Sequence, residues 1–238
     1  MSVVVHNRKG GNDAYTGICR AEGGSMTTVI YGNPHGRDFY LFDDTRVYME
    51  SGKKSPGMPQ SWKDGELPEV GIHEGIYILN MLMEYSQYLI DHESKLFEKT
   101  YFMFAGASEY PPKARAAAVN LLLPHIDDDV IYIEPHCNAS GNDWSDAQGH
   151  KVFYNEAARK YAMPLSRHLK LNKAPDTRER APKLAPRGWW LDELNCPGMY
   201  AEMFFMTNEY ETKISQHYLG IQGYYQAFEQ FHLEVDNV

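Results

Sequence analysis

Apolar positions recur along the chain with two periods, and the alternation between those periods predicts the fold class. From Glu74 to about His92 the period is helical: Ile78, Leu82, Tyr85 and Leu89 stand four, three and four residues apart, flanked by Leu79 and Ile90. Residues 113–123 are rich in Ala and Leu, which favour helix, and Pro111-Pro112 suits the entry to one. Residues 156–170 and 211–231 read as two more helices. Between the helices lie short β-branched and aromatic runs at 26–31, 101–105, 130–135, 151–154 and 199–205. The run at 130–135 follows Asp127-Asp128-Asp129, a solvated turn, and is the clearest buried strand. Strands that alternate with helices predict an α/β domain: a mostly parallel, twisted sheet with helices on both faces.

The connecting stretches set the boundaries. Residues 1–25 are polar and Gly-rich and read as an N-terminal extension. Residues 43–70 are rich in Asp, Gly, Pro, Ser and Lys and read as an irregular insertion, of a length usually functional or mobile. In residues 172–188 an Ala-Pro pair occurs at Pro175, Pro182 and Pro186, which predicts a loop. A single catalytic domain over 26–232 is the simplest division.

Composition narrows the chemistry. Hydrophobic residues at 43% and charged residues at 23% allow a full core in 238 residues. A formal net charge of −9 argues against a nucleic-acid partner, which requires basic surface to neutralise phosphates. The three cysteines lack CxxC spacing, so they form no disulfide framework and no Cys-rich zinc site. Cys137 adjoins His136 but alternates to the other face of its strand, as a buried thiol would. The first residues lack the apolar core of a signal peptide, and no run reaches the ~20 apolar residues of a transmembrane segment. The chain is therefore expected to be made in the cytoplasm and to need release to act elsewhere.

Four residues stand where strand-like runs end or helix-like runs begin: His35, Glu74, His136 and Glu202. In open α/β sheets, sites gather beyond the carboxyl ends of the strands, so these four can converge on one rim. Two His and one Glu form a ligand set for catalytic zinc, and a further carboxylate beside them can handle protons. The pattern points to a zinc hydrolase.

From 26 to 231 these residues, in order, resemble the zinc-dependent N-acetylmuramoyl-L-alanine amidases of the amidase-3 type. Asn33-Pro34-His35-Gly36 is similar to the family's Asp-Pro-Gly-His-Gly, shortened by one residue and with Asn in place of Asp. Arg115 to Asn120 resembles an Arg-containing helix that ends in Ala-Asn. Ile133 to Ala139 resembles Ser-Ile-His-Ala-Asn, with Pro135 and Cys137 as departures. Lys151 to Tyr154 resembles the family's Gly-x-x-x-Tyr strand, the segment ending at Glu202 resembles one that ends in the catalytic Glu, and Thr207 to Glu211 resembles a Ser-Asn-x-x-Glu turn. The resemblance implies zinc on His35, Glu74 and His136, Glu202 as general base and acid, and peptidoglycan as substrate. Action on the cell wall follows, as in a phage lysin or a bacterial wall amidase.

Several positions carry more than one reading. His73 adjoins Glu74 and competes with it as ligand; the resemblance favours Glu74. Glu134 shares the face of His136 and suits either a supporting partner or an unusual ligand. Arg115, Trp189 and Trp190 are candidates for substrate binding, while an ion pair for Arg115 and core packing for the Trp pair explain them equally. His150 near the rim is placed to contact substrate, but reads first as a surface residue. A zinc carboxypeptidase-like peptidase would use His35, Asp38 and His136 instead, and a wall-binding module without catalysis would keep only the fold.

Overall fold

A computed structural model describes residues 2–4, 27–35, 39–42, 45–48, 54–58, 61–63, 70–104, 111–171 and 180–236. In chain order the elements are β1 (Ser2–Val4), β2 (Thr28–Asn33), β3 (Phe39–Phe42), β4 (Thr45–Tyr48), β5 (Ser61–Lys63), α1 (Glu74–Asp91), β6 (Thr100–Phe104), α2 (Pro112–Leu122), β7 (Val130–Asn138), β8 (Lys151–Tyr154), α3 (Arg159–Leu171), β9 (Lys183–Leu184), β10 (Gly198–Phe205), α4 (Glu209–Gln216) and α5 (Tyr218–Val235). The main sheet has seven strands in the order β1-β6-β2-β7-β10-β8-β9. Its centre, β6-β2-β7-β10, is parallel, while β1 and β8 run antiparallel to their neighbours β6 and β10.

Parallel strands are buried on both faces and read as near-continuous apolar runs. β2 is buried throughout and β7 up to its last residue. The side chains of β7 then divide between two cores. Ile131, Ile133 and Cys137 face one, packed with Ile78, Leu82, Tyr85 and Leu89 of α1 and with Tyr225, Phe228 and Phe231 of α5. Tyr132 faces the other, with Ala116 and Val119 of α2 and with Trp190 and Leu191. Helices therefore cover both faces, as the alternation predicts.

Four regions differ from the sequence reading. The final helix is broken: α4 ends at Gln216 and α5 starts at Tyr218, with His217 extended between them (φ −74°, ψ 149°). Gly220 permits the close return, because a Cβ there would overlap the Ile214 carbonyl. Part of the 43–70 segment has regular backbone, since β4 and β5 join β3 in a three-stranded antiparallel sheet. Within 172–188, β9 extends the main sheet by pairing with β8, and within the 1–25 segment β1 pairs with β6.

Candidate metal centre

β2, β7 and β10 lie side by side and parallel, so their carboxyl ends form one rim. His35 follows β2, His136 lies near the end of β7, and Glu74 is the first residue of α1. Their donor atoms converge. His35 Nε2 is 3.1 Å from His136 Nδ1, His136 Nδ1 is 2.9 Å from Glu74 Oε1, and Glu74 Oε1 is 3.3 Å from His35 Nε2. All three residues are buried. Donors at about 2.0–2.1 Å from a tetrahedral zinc stand about 3.3 Å apart, so this triangle is of zinc-binding size, slightly contracted. Three lone-pair atoms aimed at one point repel each other unless a proton or a cation sits among them. The residues thus fit the metal that the ligand types suggest.

Each donor is held from behind. The Asn33 amide donates to the Gly75 carbonyl (3.0 Å) and its oxygen accepts from the His35 backbone N–H (3.2 Å), which ties the end of β2 to the start of α1. Asn is suited to this place because a carboxylate could accept but could not donate. Glu74 accepts from the Cys137 backbone N–H at 2.9 Å and sits in the first turn of α1, where the helix dipole favours negative charge. His136 Nε2 is 2.7 Å from Glu134 Oε1. A carboxylate only accepts, so Nε2 carries a proton and donates.

The electrostatics follow from this crowding. Burial alone would lower the His136 pKa, but hydrogen bonds and charge from Glu134 and Glu74 outweigh it and raise the value to about 10. Burial would raise the Glu74 pKa, and the two imidazoles hold it well below the usual range instead. Burial pushes the His73 pKa down to about 4; Glu74 opposes the shift, and His35 and Lys54 add to it. His73 precedes α1 and pairs with Lys54 in a β-bridge, and the donor cluster contains Glu74 rather than His73. Asp38 lies outside the described residues.

Glu202 stands opposite His136 in the β10–β7 register and opposite Lys151 in the β10–β8 register. Tyr200 stacks on the His136 ring (centroids 4.0 Å apart, 19° between planes), and by strand alternation Glu202 shares that face. Tyr200, Phe153 and Trp189 form a half-buried aromatic cluster: Trp189 lies 5.2 Å from Phe153 and 6.0 Å from Tyr200. Lys151 Nζ lies 4.6 Å over the Phe153 ring. The segments holding Tyr200 and Lys151 carry no local signal that assigns either residue to the site; only the strand register brings them beside His136 and Glu202.

Of the three substrate-binding candidates, Trp189 lies in this cluster. Trp190 is buried in the second core, edge-on to Tyr132 at 5.9 Å. Arg115 is 8% exposed and its Nη1 donates to Glu134 at 2.8 Å, so the ion-pair reading describes its placement. His150 is buried rather than at the surface, with Nε2 2.9 Å from Ser166 Oγ on α3. The Cys137 side chain is buried, as its place on the other face of β7 predicts. Thr207 and Glu211 brace the rim: Thr207 accepts from the Ser140 and Ser145 backbones, and Glu211 from those of Gly149 and Phe205.

No protein-family model matches the chain, and no curated protein is similar to it in sequence. Solved structures are similar to it in fold. The catalytic domain of CwlV, an N-acetylmuramoyl-L-alanine amidase from Bacillus (Paenibacillus) polymyxa var. colistinus, aligns over 90% of this chain and 99% of its own, with a TM-score of 0.63 and 15% identity. The N-acetylmuramoyl-L-alanine amidase AmiC2 of Nostoc punctiforme aligns over 90% and 99%, with a TM-score of 0.61 and 16% identity. The catalytic domain of the CD27L endolysin targeting Clostridia difficile aligns over 88% and 97%, with a TM-score of 0.52 and 16% identity. The fold of this chain is the one found in N-acetylmuramoyl-L-alanine amidases.

Proposed function

We propose that the chain is a zinc-dependent N-acetylmuramoyl-L-alanine amidase, which cleaves the amide between N-acetylmuramic acid and L-alanine in peptidoglycan. The observation that carries this reading is the buried donor triangle of His35, Glu74 and His136, set at the rim of an amidase fold. Zinc held by His35, Glu74 and His136 would supply Lewis acidity and make the attacking water far more acidic. Glu202, on the face of His136 beside the triangle, accepts a proton from the attacking water. It then returns that proton to the leaving amine of L-alanine, which departs poorly unless protonated. Trp189, with Tyr200 and Phe153, forms an aromatic wall against which the substrate lies. Action on the cell wall places the working site beyond the membrane; among the described residues no helix is long and apolar enough to cross one.

The carboxypeptidase-like reading takes Asp38 as third ligand, whereas Glu74 supplies the third donor of the triangle. The test is release of soluble fragments from purified cell walls by zinc-loaded protein. Glu202→Gln is expected to bind zinc normally and to lose turnover by about a hundredfold or more, the contribution of a general acid–base group. Zinc-loaded wild-type protein that releases nothing, or a Glu202→Gln variant with full turnover, would overturn the proposal.

A further inference from the structure

We propose that Glu134 is a positioning residue for the metal centre: clamped by Arg115 and Tyr132, it holds the His136 ring so that Nδ1 faces the metal. The inference deepens the zinc reading of the same site and rests on it.

Glu134 is fully buried on the face that carries His136, two residues along β7. Its Oε1 accepts from His136 Nε2 (2.7 Å) and from Arg115 Nη1 (2.8 Å), and its Oε2 accepts from the Tyr132 hydroxyl (2.8 Å). Burial keeps the Tyr132 hydroxyl protonated, so it donates. With three donors on it, the carboxylate is committed to protein partners; it is a support rather than a metal ligand or a second base. The contact to Nε2 has two effects. It keeps the proton on Nε2, so that Nδ1 is the nitrogen whose lone pair is offered to the metal, and it locks the ring against rotation. A carboxylate beside a ligand also makes that ligand more basic, at the risk of dulling the charge of the centre. The Arg115 guanidinium, brought in by α2, offsets that negative charge.

The surroundings are shaped to this end. Gly32 on β2 leaves the space that the Tyr132 hydroxyl occupies, since a Cβ there would overlap it. Tyr200 covers one face of the His136 ring by stacking. Glu134 stands where the resembled Ser-Ile-His-Ala-Asn motif has Ser, so this support belongs to this chain's own version of the site.

The test measures zinc affinity without substrate, by titrating the metal-free protein with zinc against a competing chromophoric chelator. Glu134→Ala is expected to weaken zinc binding by roughly 10–100-fold, the usual effect of losing such a partner. Glu134→Gln, whose amide oxygen still accepts from Nε2, is expected to keep most of the affinity. In nitrogen-15 imidazole spectra of the zinc-loaded protein, the His136 Nε2 proton should exchange slowly in the wild type and in Glu134→Gln, and rapidly in Glu134→Ala. A general loss of packing would not separate the Ala and Gln variants in this way. If Glu134→Ala fails to fold, Tyr132→Phe removes one of the clamping bonds and should show a smaller loss of the same kind. Wild-type affinity and slow exchange in Glu134→Ala, or in Tyr132→Phe where it stands in, would overturn the proposal. Zinc binding without wall hydrolysis would sink the amidase reading and leave this one standing.

Discussion

At His136 two carboxylates outweigh burial, and the ring keeps a proton on each nitrogen well above its ordinary range. That has a direct consequence for metal uptake. Under the proposed zinc reading, at pH 8 the Nδ1 proton must leave as zinc enters, so binding should release about one proton. Calorimetry in buffers of different ionisation enthalpy measures this; a buffer-independent heat would contradict it. The metal-free protein carries the same signature. A folded-state pKa of about 10 against an ordinary 6.5 contributes stability in full below pH 6.5, and that contribution is lost as pH rises through 10. Glu74, held low, contributes stability above its ordinary 4.5 that is lost as pH falls. Asn33 gives a second residue-scale prediction. Asn33→Asp removes the donor to Gly75 and sets a carboxylate against a carbonyl, which should cost about 1–3 kcal/mol in denaturant unfolding. The three residues of the donor triangle stand out in sequence because each lies near the end or the start of an element. Glu134 was half legible, since alternation places it on the face of His136, but its partner Arg115 arrives from a different helix and no local pattern announces that.

Elements with a strong period were readable to within about three residues, and those broken by tertiary contact were not. α1 runs Glu74–Asp91 as its apolar stripe predicts, because Ile78, Leu82, Tyr85 and Leu89 all point into one core. The 211–231 stretch has the composition of one helix, yet the chain turns at His217 so that α4 and α5 pack on each other. Gly220 makes that turn sterically possible, and the obstacle to a side chain there is backbone of Ile214 and Ser215, which cannot move aside as a side chain could. Gly220→Ala is therefore expected to lower stability by about 1–3 kcal/mol, read as a shift of the denaturant midpoint at unchanged slope. An unchanged midpoint would show that the break is looser than its geometry suggests. β4, β5 and β9 escaped the sequence reading because they are two to four residues long and lie among Pro, Gly and charged residues, where composition signals loop.

At the scale of the molecule, the strand order does the assembling. Placing β2, β7 and β10 next to each other in parallel brings residues 35, 136 and 202 to one rim, although about a hundred and then sixty-six positions separate them. α1, packed against β2 and β7, delivers Glu74 to the same rim. The alternation of periods foretold an α/β sheet, but not the order of strands within it, which depends on long-range pairing. That order is also what makes Lys151 and Tyr200 neighbours of Glu202 and His136. The most direct test of the whole account is mass analysis of purified peptidoglycan after digestion, with and without a chelator. The expected products are separated glycan strands and peptides with a free N-terminal L-alanine, lost on chelation and restored by zinc. Removal of only a terminal residue from the stem peptide, or intact peptidoglycan in the presence of zinc-loaded protein, would contradict it.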